Sequence, residues 1–312
     1  MAVYDVATFT LNPAVDHWSE AVEVAPVRKT RTVEERFDPG GGGINVARVV
    51  QELGGEAFAL YAAGGFVGDA LARLIDQLDV DHRNVPIAGT TRISHTVFDR
   101  KHRQEYRFVP AGPRMEQSER DAFLHEVDGC EASFAVLSGS MPADAPPDLA
   151  AEVARRSSRS GARCVADVSG EALRAVVSEG VYLIKPNRRE LEELTGRDLT
   201  SHAAQVAACR EIVDAGGAQI VALTLGAAGA MLVTSAGVLK RSNPEVEVRS
   251  AVGAGDSFLA AMVLAMAQGR STEDAFAYGV AAGAAAAMTP ATDLCHRSDV
   301  ERLFDRMDRE NA

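Results

Sequence analysis

The sequence predicts an α/β fold in which a mostly parallel central sheet carries helices on both faces and a small β-sheet lies beside it. Short apolar segments alternate with helix-like segments over most of the 312 residues, a pattern typical of parallel βαβ units. Two segments break that pattern, at about 16–38 and 92–110, because each contains strand-like residues and no helix. We therefore predict a single domain over residues 1–312, interrupted by two β insertions.

The first half of the chain follows this scheme in order. An apolar strand at 3–11 ends at Asn12-Pro13, and the first insertion follows it. The glycine run 40–43 opens directly into a helix that Gly54-Gly55 ends. A strand, a helix and a strand then follow at 58–62, 68–78 and 80–85. The second insertion has the pattern of a hairpin, 93–98 with 104–109, and we expect the two insertions to pair in one small sheet.

The second half returns to the alternation after Gly112. The predicted helices are 116–127, 147–158, 171–177, 258–266, 272–288 and 298–307, and the predicted strands are 134–137, 163–168, 181–184 and 220–223. In such sheets functional residues collect at the carboxyl ends of the strands. That rule points to the segments 138–140, 185–187 and 224–226, and to Asp167.

The composition argues against several classes of protein. There are 32 basic and 44 acidic residues, and a net charge of −12 argues against non-specific binding of nucleic acid. The four cysteines have no metal-ligand or CxxC spacing, so we expect reduced thiols. No apolar run reaches membrane-spanning length, and Met1 leads straight into a strand without a signal sequence. We therefore expect a cytoplasmic protein without a membrane partner.

The stretch 250–257 places small residues and one carboxylate where a loop becomes an apolar helix. The amides of Gly253, Ala254 and Gly255 would lack helical partners there, and such a helix terminus attracts an anion. Asp256 would lie beside that anion, where it could take a proton from a hydroxyl that attacks a phosphoryl group. The alternative is that Asp256 only caps the helix and that the glycines only permit close packing.

Three further motifs suit a ligand that carries phosphate. The glycine run lets a ligand touch the backbone, and Asn45 falls in the first turn of the helix that follows. Asn187 and Glu190 have a spacing that can hold a hydrated Mg²⁺ or, alternatively, form a helix capping box. The loop 224–230 has spaced glycines, which alone are weak support for nucleotide binding.

Together these motifs make the chain resemble the ribokinase-like sugar kinases of the phosphofructokinase-B family, over almost its full length. The motifs that carry the resemblance are Thr10-Leu11-Asn12-Pro13 with Asp16, the segment 40–48, Tyr106-Arg107-Phe108-Val109, Ser138-Gly139-Ser140, the segment 169–173, Lys185-Pro186-Asn187 with Glu190, and the segment 252–257. The resemblance implies a ribokinase-like three-layer fold in which the two insertions form a lid. It also implies a homodimer through that lid, which would cover the exposed face of a small sheet.

The resemblance also implies ATP-dependent transfer of the γ-phosphoryl group to a hydroxyl of a sugar phosphate. It makes Asp256 the general base and Gly253, Ala254 and Gly255 the anion hole. The residues that it assigns to the sugar are Asp16, Gly41, Gly42, Asn45 and Ser140. The residues that it assigns to ATP are Lys185, Asn187, Thr224, Gly226 and Gly229, and Glu190 would order Mg²⁺ through water.

The expected acceptor is fructose 6-phosphate, with fructose 1,6-bisphosphate as the product. Lys29 and Arg92 match residues that the resemblance assigns to the 6-phosphate, and we expect Arg107 nearby, although it could also be a solvated lid charge. Within the phosphosugar branch, 1-phosphofructokinase and tagatose-6-phosphate kinase activities stay open. More distant alternatives are a neutral-sugar or nucleoside kinase and a non-catalytic sugar-phosphate sensor.

A K⁺ site is left open. Ser250 and Val252 match positions around the monovalent cation of the family. Ala251, however, replaces the usual hydroxyl residue, and Thr289, Ala291 and Asp293 stand where relatives carry Asn, Gly and Arg.

Overall fold

The computed structural model describes residues 4–311, and that part of the chain forms two β-sheets and ten α-helices. The strands are β1 (Tyr4–Thr10), β2 (Ala14–Ala21), β3 (Thr32–Gly40), β4 (Ala57–Ala63), β5 (Asp81–Pro86), β6 (Arg92–Asp99), β7 (Gln104–Phe108), β8 (Ala132–Ser138), β9 (Arg163–Asp167), β10 (Val181–Ile184), β11 (Ala218–Thr224), β12 (Ala230–Thr234) and β13 (Gly237–Arg241).

The larger sheet has the strand order β13-β12-β11-β10-β9-β8-β1-β4-β5. All its pairs are parallel except β11 with β12 and β12 with β13. The inner strands are buried on both faces and have near-continuous apolar sequences, as expected of parallel strands, whereas the edge strands β5 and β13 are more polar and more exposed. The prediction of a mostly parallel central sheet is confirmed.

Ten helices complete the described chain, and most of them pack on the central sheet. They are α1 (Gly42–Glu52), α2 (Gly65–Ile75), α3 (Gln117–Asp128), α4 (Leu149–Arg159), α5 (Gly170–Glu179), α6 (Arg188–Thr195), α7 (His202–Asp214), α8 (Ala254–Ala267), α9 (Thr272–Ala287) and α10 (Arg297–Asn311). The first face of the sheet is covered by α1, α8, α9 and α10, and the second by α3, α4, α5 and α7. Helix α8 lies between α1 and α9, which is why residues 257–266 are apolar or small on every side.

The smaller sheet, which we call the lid sheet, has the strand order β3-β2-β6-β7. Strands β2 and β6 are parallel, and the other two pairs are antiparallel. The prediction that the two insertions pair is therefore confirmed. The first insertion extends two residues further at each end than predicted, because Ala14 of β2 still pairs with Gly40 of β3 and with Arg92 of β6. Pro13, which has no N–H to donate, precedes β2.

Helix α7 was not predicted from the sequence. Its buried residues are Gln205, Ala208, Cys209 and Ile212, so the apolar stripe is weak and the helical period is faint. Its clearest local signal is Ser201, whose hydroxyl accepts a hydrogen bond from the amide of Ala204 at 3.2 Å as an N-cap. Across residues 4–311, none of the helices combines the length and the hydropathy that crossing a bilayer requires.

Candidate active site

The carboxyl ends of the parallel strands β1, β8, β9, β10 and β11 meet at one edge of the central sheet. Ser138 pairs with Asp167 in register, and an isolated bridge joins Asn187 to Thr224. The strand-end segments singled out from the sequence are therefore neighbours. Because β1 leads through residues 11–13 into β2, the lid sheet also begins at this edge.

The N-terminus of α8 lies at the same site. Gly253 is the N-cap of α8 and has a φ of 73°, a conformation that favours glycine. The sequence predicts Gly253 in the first turn of the helix, but the helix begins one residue later, at Ala254. Ser257 donates its amide to the Gly253 carbonyl at 2.8 Å, the first such bond of the helix. The amides of Ala254, Gly255 and Asp256 are thus left without partners in the helix, at its positive end, where an anion binds well.

Asp256 is oriented by Asn45, whose Nδ2 donates to Oδ2 of Asp256 at 2.8 Å. Burial raises the pKa of Asp256 to about 6 and the charge of Asp167 adds to the rise, whereas the Asn45 hydrogen bond and Lys185 oppose it. Such a carboxylate is ionised at neutral pH and is more basic than an ordinary aspartate. It can therefore accept a proton from a hydroxyl held beside it.

Lys185 brings a buried positive charge to the same place. Its Nζ lies 3.0 Å from Oδ1 of Asp167, and a Cβ added at Gly255 would lie 3.4 Å from that nitrogen. Burial lowers the pKa of Lys185, but the charge of Asp167 and its hydrogen bond raise it more, so the net shift is upward. The ammonium group therefore stays charged next to the α8 N-terminus. The strand-end rule points to Asp167, but no sequence motif assigns it a role in the site.

The glycine run approaches its neighbours too closely for any side chain. Gly41 has a φ of 120°, and a Cβ at Gly42 would lie 2.2 Å from Oγ of Ser138. The amide of Asn45 donates to the Gly41 carbonyl at 2.9 Å, which starts α1 directly after the run. The backbone of Gly41 and Gly42 thus lies at the site together with Asn45.

Asp16 lies on β2, opposite Asp38 of β3 and Ser94 of β6. Burial raises the pKa of Asp16, while a hydrogen bond from Ser94 and the charges of Arg107 and Arg92 oppose the rise. The lid sheet therefore brings the two predicted arginines close to the predicted sugar carboxylate.

The guanidinium of Arg92 already has protein partners. Its Nη2 donates to the Asn12 carbonyl and to Oγ of Ser140, both at 2.7 Å, and its Nη1 donates to the Pro110 carbonyl at 2.9 Å. Arg92 also lines an open cavity of about 600 Å³ together with Thr90, Gly112 and Arg114. It thus holds Ser140 in place and can meet a ligand in that cavity.

The structure does not bring Lys29 to this group. It lies exposed in the connection between β2 and β3 and makes no hydrogen bond or ion pair within residues 4–311. Its role towards the 6-phosphate stays a prediction.

The residues predicted for ATP lie around the end of β11. Asn187 and Glu190 form a reciprocal capping box at the start of α6: the Glu190 amide donates to Oδ1 of Asn187 at 3.0 Å, and the Asn187 amide donates to Oε2 of Glu190 at 2.8 Å. Of the two alternatives for this spacing, the structure contains the capping box. One carboxylate oxygen of Glu190 remains for a hydrated metal ion. Asn187, Thr224 and Gly226 line a cavity of about 540 Å³, and Gly229 has a φ of 94° that closes the adjoining turn.

Ser250 and Val252 lie in the segment before α8, close to the C-terminus of α9. Oγ of Ser250 accepts a hydrogen bond from the Val252 amide at 3.2 Å, and the amide of Arg249 donates to the Ala287 carbonyl at 2.8 Å. Oγ1 of Thr289 lies 2.7 Å from the Ala286 carbonyl oxygen and 2.8 Å from that of Asp293, and its one proton lies between these two acceptors. The two segments that a shared monovalent cation would need are therefore adjacent.

A cluster that had not been predicted joins the lid sheet to the rest of the molecule. It contains Arg36, Asp38, Arg48, Thr292 and Asp293. Arg48 belongs to the motif segment 40–48 and Asp293 follows the possible K⁺ site, but no sequence pattern indicates that these residues contact β3.

A family model described as pfkB family carbohydrate kinase matches residues 2–298. The chain is 41% identical over 302 residues to the ATP-dependent 6-phosphofructokinase isozyme 2 of Mycobacterium tuberculosis, covering 96% of this chain and 89% of the relative. It is 36% identical over 306 residues to the protein of the same name from Escherichia coli, covering 97% and 99%. It is 30% identical over 285 residues to the 1-phosphofructokinase of Bacillus subtilis, covering 91% and 93%.

Solved structures agree with these relatives. The crystal structure of Escherichia coli phosphofructokinase-2 with potassium matches with a TM-score of 0.95 at 35% identity, covering 98% of this chain and all of the other. The structure of the same enzyme with fructose-6-phosphate matches with a TM-score of 0.92 at 34% identity and the same coverage. The predicted ribokinase-like fold is confirmed by these matches.

Proposed function

The chain belongs to the pfkB family of carbohydrate kinases, and we propose that it phosphorylates fructose 6-phosphate to fructose 1,6-bisphosphate with Asp256 as general base. It is an ATP-dependent sugar phosphate kinase. The observation that carries the proposed mechanism is the position of Asp256, in the first turn of α8 beside free amides and the Lys185 ammonium.

In this mechanism Asp256 takes the proton from the attacking sugar hydroxyl. The hydroxyl oxygen forms a bond to the γ-phosphorus, the bond from that phosphorus to the bridging oxygen breaks, and ADP leaves. Charge on the transferred oxygens is stabilised by the amides of Ala254, Gly255 and Asp256 at the helix N-terminus. The raised pKa of Asp256 suits the proton transfer.

On the acceptor side, Asp16 and Asn45 would bind sugar hydroxyls, and Gly41 and Gly42 would let the ring lie against the backbone. Arg92 and Arg107 supply positive charge close to Asp16, which suits a phosphorylated sugar better than a neutral one. We include Lys29 and Ser140 on this side, Lys29 for the phosphate and Ser140 as the hydroxyl that Arg92 holds.

On the nucleotide side, Lys185 would bind phosphate oxygens of ATP, and Asn187, Thr224, Gly226 and Gly229 would line the rest of its site. The residues present fit Mg²⁺, because Glu190 keeps one carboxylate oxygen free of the capping box. When bound, Mg²⁺ would neutralise charge on the phosphates. Ser250 and Val252 are our candidates for a K⁺ site.

We also propose that a second copy of the chain binds the outer face of the lid sheet. That face carries the exposed apolar side chains Phe37, Ile93 and Phe108, which a partner would cover. Light scattering on the purified protein tests this directly. A mass of one chain at micromolar concentration contradicts it, and substitution of Phe108 by Glu should shift a dimer towards monomer.

The experiment that tests the acceptor is a coupled ADP-release assay with ATP and Mg²⁺, with and without K⁺. The acceptors are fructose 6-phosphate, fructose 1-phosphate, tagatose 6-phosphate, fructose, ribose and adenosine. A preference for fructose 6-phosphate supports the proposal. A preference for fructose 1-phosphate would follow the 1-phosphofructokinase relatives instead, and a preference for a neutral acceptor would show that Arg92, Arg107 and Lys29 were misassigned.

A further inference from the structure

The lid sheet is tied to the rest of the molecule by an ion pair that the mechanism above does not use. Arg36 on β3 contacts two carboxylates: its Nε lies 2.7 Å from Oδ2 of Asp38, and its Nη2 lies 2.5 Å from Oδ1 of Asp293. Asp293 lies in residues 288–296, which we call the α9–α10 loop. In the same loop, Thr292 donates its hydroxyl to Asp38. Arg36 and Asp38 both belong to β3, so two contacts join this strand to the loop, Arg36 with Asp293 and Thr292 with Asp38.

Both ends of this connection reach the active site. On the lid side, Asp38 is 8% exposed and lies directly opposite Asp16, the proposed sugar carboxylate. On the other side, Leu294 follows Asp293 and packs on the N-cap of α8, since a Cβ at Gly253 would lie 2.5 Å from its Cδ2. A shift of the α9–α10 loop would therefore act on the anion hole.

A second route joins β3 to the proposed base. Arg48 of α1 donates to the Pro39 carbonyl at 3.3 Å and to Oδ1 of Asn45 at 3.4 Å, and Asn45 in turn donates to Asp256. The backbone that follows Asp38 is therefore held against the residue that orients Asp256. Movement of β3 away from the α9–α10 loop would disturb both routes together.

We propose that Arg36 and Asp293 are positioning residues whose ion pair holds the lid sheet against the α9–α10 loop, and so keeps the sugar side and the anion hole in register for phosphoryl transfer. This inference rests on the proposed function. The two side chains are 35% and 30% exposed, and ion pairs this exposed contribute little to the free energy of folding. The pair should therefore affect catalysis more than stability.

The chain contains a built-in reporter of this contact. Trp18 is the only tryptophan, and it lies directly opposite Arg36 in the β2–β3 register. It is half-buried and faces a cleft of about 1020 Å³ that Arg36, Arg249, Pro290 and Ala291 also line. Because that cleft separates the lid sheet from the α9–α10 loop, opening it should expose the indole and shift its emission to longer wavelength.

The test is a double-mutant cycle of Arg36→Met and Asp293→Asn on the full chain, with Arg36→Lys as the conservative variant. Arg100→Met is the matched control, because it removes an arginine–glutamate pair, Arg100 with Glu20, that lies within the lid sheet alone. For each variant we would measure kcat and KM for the preferred acceptor, the melting temperature and the Trp18 emission.

We expect each single change to lower kcat/KM for the acceptor about tenfold, with part of the loss in kcat, and the double change to be no worse than either single change. Arg36→Lys should recover most of the activity, Arg100→Met should stay near the wild type, and the Trp18 shift should appear only when the pair is broken. Additive losses, losses below twofold or an equal loss in Arg100→Met would overturn the proposal.

If the wild type transfers phosphate to another acceptor, the cycle is run with that acceptor. If it transfers to none, the proposed function fails, and unchanged Trp18 emission in Arg36→Met would separately overturn the inference.

Discussion

Asn45 and Asp256 are 211 positions apart in the chain, yet Nδ2 of Asn45 donates to Oδ2 of Asp256 at 2.8 Å. The contact joins the first turn of α1, which follows the glycine run, to the first turn of α8. The backbone proposed to meet the sugar and the carboxylate proposed to activate it are therefore joined through one direct hydrogen bond. Five predictions concern this contact and the residues around it.

Asp256→Asn should lower kcat by about three orders of magnitude or more while leaving the binding of ATP and acceptor largely intact, because the amide cannot accept the proton. Single-turnover assays and calorimetric titration measure the two effects. Asp69→Asn, an exposed change on α2, is the control. A turnover close to that of the wild type would rule Asp256 out as the base.

The same change should stabilise the protein at alkaline pH. The pKa of Asp256 in the folded state, about 6, is above its ordinary value, so the stability that this group contributes is present at low pH and lost as the pH rises through 6. At about pH 8 we expect Asp256→Asn to unfold with a free energy higher by about 1 to 3 kcal/mol. This gain in the free energy of unfolding should shrink as the pH falls towards 4. Urea titrations of the variant and the wild type at several pH values measure it, and a gain that is constant with pH or reversed in sign would contradict the prediction.

The pH dependence of kcat/KM should have an acidic limb near pH 6. Below that pH Asp256 is protonated and cannot act as a base, so the rate falls about tenfold per pH unit. Asn45→Ala removes the hydrogen bond that lowers the pKa of Asp256, so the limb should move to higher pH. The pH at which the limb lies can be compared between the variant and the wild type even if the variant has a lower kcat/KM. A limb at the same pH in both would contradict the assignment of Asp256 as the titrating base.

Lys185→Met should weaken ATP binding and destabilise the fold, since it leaves the carboxylate of Asp167 without its partner. Breaking such a buried pair costs about 3 to 5 kcal/mol. The double variant Lys185→Met/Asp167→Asn should regain most of the stability but not the affinity for ATP. Unfolding curves and the KM for ATP separate the two roles, and an unchanged KM for ATP in both variants would exclude Lys185 from the nucleotide site.

Lys29→Ala should raise the KM for fructose 6-phosphate by about tenfold or more and change the KM for ATP little, because a charge-assisted bond to the 6-phosphate is lost. It should leave a neutral acceptor such as adenosine nearly unaffected. Lys101→Ala is the matched control, as Lys101 is another lid lysine and pairs with Glu23. Equal effects of the two changes would mean that Lys29 acts only through the general charge of the lid sheet.

Much of the architecture was predictable because it depends on local patterns. Apolar strands alternating with helices predicted the central sheet, and the two strand-only insertions predicted the lid sheet. The small residues before an apolar helix predicted the free N-terminus of α8. Helix α7 was missed because its buried positions, Gln205, Ala208, Cys209 and Ile212, include a polar and a small residue and so give little contrast with the polar face.

The contacts around these elements were not predictable to the same degree. The spacing of Asn187 and Glu190 suited both a capping box and a metal site, and only the folded geometry showed the capping bonds. The pairing of Lys185 with Asp167 and the cluster of Arg36, Asp38 and Asp293 join residues from separate elements. No periodicity in the chain records such pairs.

The sequence by itself determined the class of fold, the order of its elements and the motif that carries the proposed base, because periodicity, glycine and helix termini act within a few residues of each other. Only the tertiary structure decided which charges meet. The environment of Asp256 depends on burial by α1 and on Asp167 and Lys185, which lie at the ends of other strands. Electrostatic and packing energies depend on the distance between groups in space. For residues far apart in the chain, that distance is set only by the folded structure.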